Sequence, residues 1–114
     1  MLMNKTKNTV LAKEIVYCKT TLSKAHGLMF KRKTNKAFIF VFKKEKIIDI
    51  HMFFVFFPID VLWLNRNKRV VQIKEHLKPF RIVIAKEPAK YIVELPDNTI
   101  KKSKTCLGDT ISFK

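Results

Sequence analysis

The chain has 114 residues, enough for one domain that buries about two-thirds of its unfolded surface and needs no disulfides to do so. It carries 24 basic and nine acidic residues, a formal net charge of +15, and only two cysteines and two glycines. That composition excludes a disulfide scaffold, and with Gly27 and Gly108 as the only glycines it excludes phosphate loops and dinucleotide fingerprints.

In chain order, residues 1–8 are polar and expected to fray, leaving residues 9–114 as a single β domain. The opening MLMNKTKNTV has no apolar core region and no small-residue cleavage site, so a cytoplasmic protein with Cys18 and Cys106 as free thiols is expected. From Thr9 to Tyr17 the pattern reads as a strand, with Val10, Ala12, Glu14 and Val16 alternating against Leu11, Ile15 and Tyr17. Thr20–His26 suits a short helix with a threonine cap, ended by Gly27 in a left-handed conformation. Ala37–Phe42 is a second strand and Ile47–Phe57 a long third one. Across Asn65–Lys68 two strand-like runs form a hairpin, with Asn67 the natural residue to take a positive φ. Phe80–Ala85, Tyr91–Leu95 and Thr110–Phe113 complete the strands, with Pro79, Pro88 and Pro96 between them, and Asn98–Lys104 forms a short helix. The fold class is mainly β, a small sandwich or barrel of jelly-roll type with one or two short helices.

The run IHMFFVFFPIDVLWLN, Ile50–Asn65, concentrates the aromatic residues around His51 and Asp60. Its charge-free window, Ile50–Ile59, is closed by Asp49 and Asp60 and falls well short of the roughly 20 residues that span a bilayer. Two buried strands meeting near Pro58 fit better. In an extended strand Ile48, Ile50, Met52, Phe54 and Phe56 share one face, and Ile47, Asp49, His51, Phe53, Val55 and Phe57 the other. Asp49 and His51 are then same-face neighbours about 6.5–7 Å apart, close enough for the carboxylate to orient the ring.

KAHGLMF (Lys24–Phe30), AFIFVF, HMFFVFFPIDVLWLN, AKYIVELPDNT (Ala89–Thr99) and LGDTI (Leu107–Ile111) occur in the order seen in domain of unknown function 192, and the chain resembles that family over about residues 10–113. The resemblance implies a small jelly-roll β-sandwich and no agreed activity. Many members carry Arg before Gly-Leu-Met, where this chain has His26. Many also carry Trp-Met-Lys-Asn where it has His51, Met52, Phe53 and Phe54.

Three functions are open to such a chain. The leading one is a non-enzymatic domain binding a small ligand or protein in a pocket of His51, Asp49 and Asp60, roofed by aromatic rings and Met29. The plainer role for these residues is structural, with His51 hydrogen-bonded in a core and Asp60 holding backbone N–H groups at a corner. An enzyme would use His51 as general acid/base oriented by Asp49 or Asp60. A nucleic-acid or acidic-partner surface would use Lys31, Arg32, Lys33, Lys36, Lys43 and Lys44, with Lys46 beyond them. That third function is disfavoured: 20 of the 24 basic residues are Lys, and twelve precede Asp49 while twelve follow it, as compositional charge would. No cofactor and no metal are expected, since His26, His51, His76, the two aspartates and the cysteines show no ligand spacing. His76 beside Glu75 reads as a solvated edge pair, Glu94 as an outward residue without a role.

Overall fold

Residue Ile59 opens a strand, IDVLWL, in which every side chain is buried, the mark of a strand covered on both faces. It is β6 (Ile59–Leu64) of a computed structural model that describes residues 1–18, 34–52 and 56–113. Before it come β1 (Leu2–Asn4), β2 (Thr9–Ala12), β3 (Ile15–Cys18), β4 (Ala37–Lys46) and β5 (Ile50–His51). After it come β7 (Val70–Leu77), β8 (Ile82–Val83), β9 (Ala89–Pro96), the helix α1 (Thr99–Ser103) and β10 (Ile111–Ser112). The central sheet has the order β3-β4-β9-β6-β7, antiparallel except for the parallel β3–β4 pair.

Alternation along β6 separates two cores. Ile59, Val61 and Trp63 pack with Phe38, Phe40 and Ile92 of the same sheet against Ile48, Ile50, Met52 and Ala85, so the two-stranded β5–β8 sheet covers this face. Leu62 and Leu64 pack with Ile39, Val93 and Leu95 against Leu2, Leu11, Ile100, Ile111 and Phe113, under the three-stranded β10-β1-β2 sheet and α1. The result is a mainly β single domain of layered sheets, with no closed barrel among the described residues. Trp63 is fully buried and its Nε1 donates to the Ile48 carbonyl at 2.8 Å, tying the central sheet to the chain entering β5.

Several expectations are corrected. Residues 1–8 do not simply fray: Leu2–Asn4 is the middle strand of its sheet, with Leu2 and Asn4 buried. The inward residue Asn4 is polar, which disguised the strand, and it is satisfied by donating to Thr105 Oγ1 at 3.0 Å and Asp109 Oδ2 at 2.9 Å. Among the described residues of the expected third strand, Ile47–Phe57, only the two of β5 are strand, with Phe53–Val55 outside them, whereas β4 runs on to Lys46 through an irregularity after Val41. At the hairpin the positive φ falls on Lys68 (61°), not Asn67. Asn65 starts the turn: its side-chain oxygen accepts the N–H groups of Asn67 and Arg69, and its carbonyl accepts that of Lys68, which leaves the left-handed position to the fourth residue. Lys68 is held there by donating Nζ to the Phe113 carbonyl at 2.8 Å, over the Phe113 ring at 4.2 Å. The helix expected at Thr20–His26, with Gly27, lies outside the described residues.

Asp109 closes the second core to its strands. Its oxygens accept from Asn4, from the Cys106 N–H and from Lys7 Nζ at 2.9 Å. Burial alone would raise its pKa, but the bonds from Asn4, Cys106 and Lys7 outweigh it and hold the carboxyl below its ordinary value. An acid held low in the fold stabilises above its unfolded value, about pH 4, and loses that contribution as pH falls through the folded value. Asp109→Asn should therefore cost about 1–3 kcal/mol at pH 7. Urea unfolding across pH 7 to 2 should give the variant a flatter acid limb than the wild-type chain, and parallel limbs would refute the assignment.

Candidate functional site

Asp60 points from β6 into the second core, fully buried, where its two oxygens accept the N–H groups of His76 at 2.9 Å and Ile100 at 2.8 Å. The second bond supplies what α1 lacks, because Asn98 at its N-cap has φ 74° and makes no side-chain cap. Burial raises the Asp60 pKa, opposed by the N–H groups of His76, Ile100 and Asn98, with Asp97 adding to the rise. Asp49 is exposed, and its Oδ1 accepts the Ala85 N–H at 2.7 Å, clamping the start of β5 to the segment after β8.

His51 is half-buried on β5, opposite Ile82 of β8 in the antiparallel register, while the preceding pair Ile50–Val83 turns toward the core. Asp49, exposed just before β5, and His51 flank the core residue Ile50. Asp60 belongs to the other layer, with α1, so the structure does not bring it to His51. Met29 lies outside the described residues, as do Lys31, Arg32 and Lys33. Of the other basic candidates, Lys36 pairs with Glu14 at 3.5 Å, Lys43 and Lys44 are exposed, and Lys46 sits 4.8 Å over the Phe42 ring.

A different place collects positive charge. Among the described strands β7 pairs only with β6 and β8 only with β5, so two sheet edges face each other across a gap. That gap is a cleft of about 620 Å³ with Lys74, His76, Lys78, Arg81 and Lys86 in its lining, alongside Ile82 and Ile84, and no carboxylate. Gln72 bridges its base: Nε2 donates to the Ile84 carbonyl at 3.0 Å and Oε1 accepts the Lys86 N–H at 2.8 Å. At its rim the Pro79–Phe80 turn is laced to Met52, whose carbonyl accepts the Phe80 N–H and whose N–H donates to the Arg81 carbonyl, both at 2.9 Å.

His76 stands at a bulge, since Ile59 pairs with Leu77 but Val61 with Lys74. The bulge gives His76 a φ of 50° and turns its ring from Glu75, its expected partner, to Asp97, 2.9 Å from Nδ1. Glu94 is corrected as well. It is fully buried in β9 between Phe38 and Val61, because β9 like β6 is covered on both faces. Burial, with the nearby Glu94 charge adding to it, pushes the Cys18 thiol up to about 12, which leaves it a protonated packing residue at neutral pH. The cleft residues were missed because four more cations do not stand out among 20 lysines. The signal that could have found them is an aromatic residue in a proline turn, Lys78-Pro-Phe-Arg81, carrying one of only four arginines.

Fold and site together define a small layered β domain with a basic cleft between two sheet edges. Among the described residues no group of three or more His, Cys, Asp and Glu side chains converges as metal ligands, and no helix is long and apolar enough to cross a membrane. The chain belongs to domain of unknown function 192, the family described as uncharacterized ACR, whose model matches residues 2–113. A UPF0127 protein of Pyrococcus horikoshii is 38% identical over 115 residues, covering 99% of this chain and 98% of its own length. Two solved structures share the fold. One is a protein of unknown function from Novosphingobium aromaticivorans (TM-score 0.82, 18% identity, 98% of this chain and 82% of that one). The other is a candidate transcription regulator from Sinorhizobium meliloti (TM-score 0.77, 22% identity, 86% and 79%). At those identities the likeness is one of fold alone.

Asp60→Ala should strand two buried N–H donors and cost about 2–4 kcal/mol in urea unfolding, with faster hydrogen exchange at Ile100 and His76. Stability within about 0.5 kcal/mol of wild type would show that Asp60 does not hold α1.

Proposed function

We propose that this protein is a non-enzymatic binding domain that holds a phosphate-bearing anion in the cleft between β7 and β8. One observation carries the reading: Lys74, Lys78, Arg81 and Lys86 line a concave site with His76 and without a carboxylate. A recess walled by protein and lined by one sign of charge focuses its field, so each cation counts for more there than on a convex surface. Arg81 adds a planar fork suited to two phosphate oxygens, with the lysines as mobile point charges beside it. The Gln72 bridge and the Met52 contacts give the cations a fixed base.

This keeps a binding domain as the function and shifts its centre from His51 across the β5–β8 ladder to the strand that pairs with it. General acid/base chemistry at His51 lacks support of the same kind, since Asp60 serves α1 and Asp49 serves Ala85. Titration with inorganic pyrophosphate, followed by amide NMR shifts, tests the reading. Shifts should concentrate in Gln72–Lys86, weaken as salt rises, and be reduced at least about tenfold in affinity by the double variant Lys78→Glu/Arg81→Glu. Unmoved amides in that segment, or a double variant that binds like wild type, would overturn it.

A further inference from the structure

Resting on that reading, we infer that the occupant of the cleft is single-stranded nucleic acid, whose phosphates lie along the basic lining and whose bases stack on Phe80 and Phe56. Phe80 carries the argument. It sits between the lining cations Lys78 and Arg81, is 61% exposed, and has φ 61°. A bulky residue adopts the left-handed region at a cost, and an exposed ring returns little burial to offset it; Asn or Gly would serve the turn better. Strain retained at an exposed aromatic residue beside a charged cleft is the pattern of a ligand contact.

A second ring supports the first. Phe56 is 66% exposed and lies edge-on to Phe80, centroids 6.1 Å apart with the planes at 72°. Two open aromatic rings next to a basic groove are the two parts of a single-strand site: cations that follow the backbone, rings on which unpaired bases stack. A duplex offers no free base faces, and the one helix among the described residues, five residues long, lies on the other layer of the sheet. An anionic bilayer would also suit cations near exposed Phe56, Phe80, Ile82 and Ile84, but it calls for a convex, protruding apolar edge, whereas these cations line a concavity.

Fluorescence anisotropy with labelled oligothymidylate of about ten nucleotides, a size within the range bound by single-strand grooves, tests the inference. A hairpin duplex of equal nucleotide number, pyrophosphate, and phosphatidylserine vesicles serve as parallel probes. The wild-type chain should favour the single strand over the duplex. Phe80→Ala should weaken single-strand binding about tenfold and leave pyrophosphate binding and the salt slope unchanged; Phe80→Trp should retain affinity, and Phe56→Ala should fall between. Lys78→Glu/Arg81→Glu should weaken both probes and lower the slope. Circular dichroism melts establish that each variant is folded. If pyrophosphate binds in the cleft while Phe80→Ala and Phe56→Ala bind oligothymidylate like wild type, the single-strand inference fails and the anion cleft stands. A preference for duplex, or vesicle binding through Phe80 without oligonucleotide binding, also overturns it. If pyrophosphate does not bind either, the cleft reading itself has failed.

Discussion

Burial of β6 on both faces is the constraint from which the rest of the structure follows. Six consecutive enclosed side chains in Ile59–Leu64 require a cover on each side, and a chain of 114 residues has little else to build them from. Among the described residues the cover is the β5–β8 pair on one face, and β1, β2, β10 and a one-turn helix on the other. Trp63 binds the first cover by its Nε1 bond to Ile48, and Asp60, its neighbour on the same strand, binds the second through Ile100. Covers this small leave edges that do not meet. The basic cleft is the gap left between the edge of the central sheet and the edge of β8.

The hydrogen-bonding side chains follow one logic, in which a side chain supplies bonds that a short or irregular element cannot make for itself. Asp60 serves α1 and the His76 bulge, Asp49 the turn after β8, Gln72 the segment at Ile84–Lys86, and Asp109 the loop at Cys106 together with Asn4 and Lys7. Leaving such donors without partners would cost more than the bonds gain, and Gln72 among these residues also lies in the cleft lining.

This division explains what could be read from the residues. Continuous apolar runs in AFIFVF, DVLWLN and YIVEL located three strands of the central sheet, since short runs rich in β-branched and aromatic residues must be buried wherever their partners lie. Residues at strand ends escaped. Leu2–Asn4 was hidden by polar neighbours, the positive φ moved from Asn67 to Lys68 because Asn65 took the turn, and Glu94 was assigned to the surface although its strand is covered twice. The Lys68 conformation depends on the Asn65 bonds within its own turn, and the burial of Asn4 and Glu94 on what packs against them.

The sequence by itself determined the mainly β class, the family and the buried strand Ile59–Leu64, because hydrophobic pattern and run length are local properties. Only the tertiary structure decided where the polar groups act. Asp60 and His51 are nine positions apart but fall on opposite sides of a sheet, and Lys74 on β7 and Arg81 in the turn before β8 line one cleft. Which charges converge is set by how the segment Gln72–Lys86 folds back between the two sheets once the cores are covered, a geometry that its order along the chain does not show.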